Sequence, residues 1–303
     1  FGELIGLALA QSWLDQGRPA PFTLAEIGPG RGTLMADILR AIRIVPGMHE
    51  AAQVTLIEAS PHLRQVQRDR LGAVRHLDSV SDLPENALFL VANEFFDALP
   101  IRQFQRAEQG WAERVVHLDD AGNLALGLAA PTPGPEARLG EIRELCPEAA
   151  PIMTQIARRI TDHGGLAIAI DYGNWQGWGD TFQALRHHMP EDPLAHPGEA
   201  DLTAHVDFAP LAQAARAAGA RVSGMVTQGE WLLRLGIAAR AERLAQAGDQ
   251  GAMAALHRLT APAEMGHLFK ALALWAPDAP VPPGFEPLDK DAHDAGNPDP
   301  SAA

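Results

Sequence analysis

The sequence predicts an α/β fold, an open and mostly parallel sheet flanked by helices. Two observations predict it. Apolar runs of strand length alternate along the chain with stretches whose apolar residues recur at helical spacing. In addition, "EIGPGRGT" (26–33) sets glycines at alternate positions in a turn from a buried strand to a helix, the joint where open sheets bind ligands.

The elements follow in order. "LIGLALAQSWL" (4–14) predicts a helix, and Phe22 to Ile27 the first strand. From Thr33 onward Leu34, Ile38, Leu39 and Ile42 keep one helical face. "AQVTLIEAS" is the second strand, and "PHLRQVQRDRL" a helix with Pro61 suited to its first turn. "AVRHLDSV" gives a short third strand and "NALFLVANEFFDALP" the fourth. A β-hairpin is expected over 104–130, then a helix broken by proline in "IRELCPEAAPIMTQIARRI", then a fifth strand in "GGLAIAIDYG". Residues 174–206 read as a long substrate-side loop. "FAPLAQAARAAG" is a helix, "RVSGMVTQ" a strand, "EWLLRLGIAARAERLAQ" one long helix within a helical insertion over 229–267, and "LFKALALW" the last strand. One domain is expected over 1–276, with a disordered Pro/Asp-rich tail over 277–303.

The chain has 303 residues and a formal net charge of −14, which excludes a general nucleic-acid binder and suits a basic peptide partner. Its single cysteine, Cys146, excludes an internal disulfide and fits a reducing compartment. No apolar run reaches the length of a membrane span. Lysine occurs only at 270 and 290 amid abundant Ala, Arg, Gly and Pro, a bias typical of GC-rich bacterial genomes, so a bacterial cytoplasmic protein is expected. The first residue is Phe1, so a native targeting segment is out of view.

Gly28, Gly30 and Gly32 admit positive φ and let a ligand approach bare backbone beside the free N–H groups of a helix N-terminus. A dinucleotide fingerprint needs glycine at 33, where Thr33 stands, and Glu26 would repel a pyrophosphate, so a nicotinamide dehydrogenase is disfavoured. The acid suits a ligand with a cationic part, such as the amino group and nearby sulfonium of S-adenosylmethionine. Glu58, ending the second strand, is expected on ribose hydroxyls, with a solvated strand end as the plainer alternative. Asp78 is expected on an adenine amino group, and Asn93 on the same ligand edge. His187, His188 and His196 match no metal-ligand spacing, so no metal is expected.

At "FGELIG", "EIGPGRGTLMADILR", "NEFFDALPIRQF", "DYG", "DLTAHVDF", "TQGEWLLRLGI" and "MGHLFKAL" the chain resembles the MidA family, whose mitochondrial members are complex I assembly methyltransferases. The resemblance implies a Rossmann-like class I methyltransferase sheet: seven strands, mostly parallel, the last antiparallel. It implies S-adenosyl-L-methionine as cofactor, and for mitochondrial relatives symmetric dimethylation of an arginine in a complex I subunit. It also implies a segment before "FGELIG" that helps wall the site.

Methyl transfer is a direct displacement that needs alignment and exclusion of water more than acid–base machinery. Glu94 and Asp97 are the expected acids for orienting a guanidinium acceptor. The plainer alternatives are a turn cap for Asp97 and a backbone amide for Glu94. Phe95 and Phe96 either wall the site or fill the core. Asp171 and Tyr172 are expected on the substrate side, with His205 and Asp207 paired at its mouth; a helix cap is the simpler role for Asp207. Two functions remain: an enzyme methylating a protein arginine, or a cofactor-binding assembly factor that grips a partner. A homodimer is compatible with either.

Overall fold

The computed structural model describes residues 1–288. Seven strands form the main path of the nine-stranded central sheet: β1 (Phe22–Ile27), β2 (Ala52–Ile57), β3 (Arg75–Leu77), β4 (Leu88–Asn93), β5 (Gly165–Asn174), β6 (Arg221–Val222) and β7 (Phe269–Trp275). Their order is β3-β2-β1-β4-β5-β7-β6. The first five pair in parallel, and β7 runs antiparallel to both neighbours. The chain leaves β1 toward β3 and then returns to β4, so the order reverses between β1 and β4. Above their carboxyl ends lies the crevice where such sheets bind ligands. β1 is buried at every position, as expected of a strand covered on both faces.

Helices cover both sides. On one, α1 (Gly2–Asp15) and α2 (Thr33–Ile42) bury Ile5, Leu9, Trp13 and Ile38. The glycines of "FGELIG" permit this approach: a Cβ on Gly2 would stand 2.6 Å from Asp37 Cβ, and one on Gly6 2.9 Å from Ala41 Cβ. On the same side α3 (Pro61–Leu71), capped by Ser60 with Pro61 in its first turn, follows β2 and packs beside α2. On the other side α4 (Ala149–His163) and α5 (Phe208–Ala217) bury Met153, Ile156, Phe208 and Leu211 in a second core.

Several expectations are corrected. The segment expected as a hairpin over 104–130 forms part of a four-stranded antiparallel sheet, Arg102–Ala107, Gly110–Leu118, Leu124–Leu128 and Ile142–Leu145. Its last strand was expected to be helical, but Pro147 biases the preceding residue to extended backbone, and α4 starts only at Ala149. The loop over 174–206 carries a small antiparallel sheet, Gln183–Arg186, Met189–Glu191 and Asp201–Thr203. Its tight turn holds His187 and His188 at φ of 52° and 62°, as a two-residue hairpin turn of the mirror type requires. The expected long helix over 230–246 is two, α6 (Gln228–Arg234) and α7 (Ile237–Gln246), broken where Gly236 turns left-handed at φ 85°. "RVSGMVTQ" likewise divides into β6 and a second short strand, Val226–Thr227. The tail is not disordered over 277–288: Phe285 is buried with its ring 5.1 Å from that of Trp231, and the Leu288 amide donates to Val222. The remainder of that expected tail, 289–303, lies outside the described residues.

Candidate active site

The glycine turn caps the carboxyl end of β1. Gly28, Gly30 and Gly32 all take positive φ, 65°, 50° and 70°, and Gly32 stands directly before α2. A Cβ added at Gly30 would meet no atom within 4 Å, so the turn leaves open space there. Gly28 backs onto Phe95, whose Cδ2 would lie 3.2 Å from an added Cβ.

Beneath the turn Glu26 is 3% exposed, and its Oε2 has no hydrogen-bond partner. An orphaned buried oxygen of this kind calls for a ligand group to satisfy it. Burial raises its carboxyl from an ordinary 4.5 to about 8, with the Met35 amide pulling the other way. The folded protein thus holds a proton the unfolded chain sheds. The associated stability is full below the unfolded value and is lost as pH climbs through the folded one, about 8. A cationic ligand group reverses this preference and drives the proton off. Titration with S-adenosylhomocysteine at about pH 7 is therefore expected to release a proton, with heats that differ between buffers of unlike ionisation enthalpy. Equal heats in both buffers would show that Glu26 does not face the ligand's amino group.

Glu58 ends the second strand, 9% exposed, and is not a solvated end. Its Oε1 accepts from the Ser60 amide at 2.8 Å and its Oε2 from Gln67 Nε2 at 3.2 Å. The same Gln67 nitrogen donates to Gly30 O at 2.7 Å, so Gln67 ties the glycine turn to Glu58. Gln67 was not anticipated; a glutamine on a helix carries no signal of burial, yet it is 0% exposed. Asp78 lies after β3 with its side chain 86% exposed, held by Arg64, which also donates to the carbonyls of Glu58 and Leu77. Glu58→Ala is expected to weaken cofactor binding by about 1.5–3 kcal/mol, roughly ten- to a hundredfold, on loss of charge-assisted hydrogen bonds. Calorimetry on the variant checks this, and an unaltered affinity would remove Glu58 from the site.

The loop after β4 divides the two acids expected to orient the acceptor. Asn93 donates to Glu94 at 3.1 Å, and both line a cavity of about 340 Å³ with Thr33, Asp37 and the buried Gln228, on the glycine-turn side. Glu94 is exposed, at φ 49°, a strained value for a residue with a side chain. Its amide donates to Ile170 O, and its side chain accepts from the Asn93 side chain rather than from a neighbouring backbone amide. Asp97 faces the other way. It is 5% exposed, its Oδ1 is unpartnered, and it lines a separate cavity of about 360 Å³. Burial pushes its carboxyl up, the Tyr172 hydroxyl opposes, and Glu94 and Asp201 push further.

Four of the five expected substrate-side residues prove to hold this loop or its surroundings in place. Asp171 is 0% exposed: its Oδ2 accepts from the amides of Phe95, Phe96 and Asp97 at 3.2, 3.0 and 3.3 Å, and its Oδ1 from Tyr172. It shapes the loop through these backbone amides. Phe96 is core, 3% exposed, stacked edgewise on Phe95. His205 and Asp207 do not pair. His205 packs edgewise on Tyr172 at 5.5 Å, and burial lowers its pKa. Asp207 caps α5 by accepting from the Ala209 amide at 3.2 Å. Tyr172 packs its ring edgewise on His205 and Phe269, and burial, with a hydrogen bond to Asp97 adding to it, raises its hydroxyl pKa well above the usual range. Among the described residues no three His, Cys, Asp or Glu side chains gather as a metal site, and no helix is long and apolar enough to cross a membrane.

A sheet whose main path takes this order, with a glycine turn and two buried acids at its switch point, defines a class I S-adenosyl-L-methionine-dependent methyltransferase. The comparisons narrow this. The model of a family of S-adenosyl-L-methionine-dependent methyltransferases matches residues 4–226, and the chain belongs to that family. It is 34% identical to the protein arginine methyltransferase NDUFAF7, mitochondrial, of Danio rerio, over 89% of this chain and 72% of that protein. The Xenopus tropicalis counterpart is also 34% identical, over 78% of this chain and 63% of its own length, so the chain spans about two thirds of these relatives. A Burkholderia thailandensis structure bound to S-adenosyl-homocysteine superposes with a TM-score of 0.78 and 28% identity, covering 94% of this chain and 78% of that one. The cofactor is S-adenosyl-L-methionine. The residues here fit it through the open space at Gly30 and the unpartnered oxygen of Glu26.

Proposed function

We propose that the chain methylates an arginine of a protein substrate, with Asp97 holding the acceptor. The observation that carries this is the unpartnered Oδ1 of buried Asp97 in a cavity of about 360 Å³ beside the loop that follows β4. An arginine cation that leaves water needs a buried counter-charge, and a carboxylate matches its planar fork. The names of the relatives, protein arginine methyltransferases, support the same acceptor.

Bound S-adenosylmethionine supplies a methyl group on a sulfonium. The chain supplies the rest. The glycine turn, Glu26, Glu58, Asp78 and Asn93 hold the cofactor at the carboxyl edge of the sheet. Asp171 fixes the backbone of the loop after β4 by accepting from its amides, which sets the position of Asp97 at the same edge. Asp97 accepts from the guanidinium, keeps one nitrogen free, and takes the proton that nitrogen releases, as its raised pKa suits it to do. The phenylalanine pair excludes water. We further read the chain as a bacterial cytoplasmic enzyme, supported by its GC-rich residue usage, acting on a complex I subunit by its family resemblance, with a homodimer allowed.

The test is transfer of labelled methyl to arrayed arginine peptides, followed by hydrolysis and amino-acid analysis. Label in dimethylarginine is expected; label confined to another residue type would overturn the acceptor assignment.

A further inference from the structure

The four-stranded accessory sheet has a face that the reaction above leaves unused. On its outer hairpin Val116 stands opposite Leu126, Leu118 opposite Leu124, and Arg114 opposite Leu128. Directly paired residues of antiparallel strands share a side, and the side repeats every second residue, so these apolar side chains project from one face. They are exposed: Val116 54%, Leu118 65%, Leu124 39%, Leu126 44% and Leu128 52%. Single exposed leucines are ordinary, but a contiguous set of this size marks a docking surface. Leu124–Leu128 is also an edge strand that pairs on one side only. The patch runs into the acceptor cavity, since Val116 and Leu126 line it together with Asp97, and Leu202 faces them from the small sheet.

We propose that this face docks the acceptor polypeptide: an extended segment added along Leu124–Leu128, its arginine entering the cavity and apolar residues two positions away resting on the patch. The proposal rests on the reading of Asp97 as the acceptor's carboxylate. The cavity's charge selects this occupant. Its own cation, Arg114, forms an ion pair with Asp180 at 2.8 Å, although its Nη1, like Asp97 Oδ1, makes no hydrogen bond. One guanidinium against two carboxylates, Asp97 and Asp180, leaves the excess charge negative, which calls for a cationic side chain. A second copy meeting face to face would bring another Asp97 instead. Strand addition supplies main-chain hydrogen bonds, and alternate side chains share the face, which gives the pattern apolar-x-Arg-x-apolar.

The probes are two fluorescein-labelled peptides, Leu-x-Arg-x-Leu and Asp-x-Arg-x-Asp, titrated by anisotropy in saturating S-adenosylhomocysteine. The apolar-flanked peptide is expected to bind at least about tenfold tighter, as one or two buried leucines allow. The double variant Leu118→Asp with Leu124→Asp is expected to abolish that preference while its affinity for S-adenosylhomocysteine and its thermal midpoint stay unchanged. Leu118→Met with Leu124→Met is expected to retain it. The proposal is overturned if the parent binds neither peptide, if the aspartate variant keeps the preference, or if the parent sediments as a dimer that the aspartates dissociate. Labelled-methyl transfer to the same peptides separates this from the arginine reading. Binding that depends on the patch without methylarginine supports the docking face and removes the acceptor assignment.

Discussion

Gly30→Val protein is expected to fold and to bind no S-adenosylmethionine. Gly30 sits at φ 50°, where a β-branched residue is a steric outlier, so the substitution strains the turn by about 1–3 kcal/mol. That is a minor part of a domain's stability of about 5–15 kcal/mol. No protein atom beyond the adjoining residues lies within 4 Å of the added Cβ, so the isopropyl group starts into open space at the turn, where the account places the cofactor. The effect on binding should therefore exceed the effect on folding. Its neighbours lack this separation: an added Cβ would meet Phe95 at 3.2 Å from Gly28 and Leu71 at 3.1 Å from Gly32. Substitutions there disturb the fold and the site together. Thermal unfolding and calorimetry on Gly30→Val check the claim, and a folded variant with the parent's affinity would remove the cofactor from this turn.

The sheet was legible because each central strand is a continuous apolar run and the glycine turn marks its switch point. Glu26 could be placed for the same reason: it is the one acid in an otherwise buried strand. Side-chain direction at the strand ends could not be read. Asp171 and Asp97 both follow apolar runs beside aromatic residues, and only the folded loop shows that one is spent on backbone amides while the other keeps an oxygen free. Gln67 escaped notice because its value lies in three partners distant in sequence, Gly30, Glu58 and His76. Composition misled at the tail, where prolines and acids outweighed two anchors, Phe285 and Leu288. The two histidines at 187 and 188 are turn residues, and their adjacency reflects backbone geometry.

Asp97→Asn is expected to separate binding from transfer. The amide keeps the shape of a side chain that is 5% exposed, and it removes a buried charge, so the fold should survive. The cationic acceptor then loses its buried counter-ion, a deficit of about 3 kcal/mol or more, equal to roughly a hundredfold or greater fall in transfer. Cofactor affinity should hold, because Glu26, Glu58 and the glycine turn are assigned to the cofactor and Asp97 to the acceptor. The decisive measurement takes both quantities from one preparation: affinity for S-adenosylmethionine by calorimetry, and the rate of labelled-methyl transfer to an arginine peptide. The account predicts parent-like affinity with transfer reduced by at least about a hundredfold. Loss of both together, or an unchanged transfer rate, would contradict it.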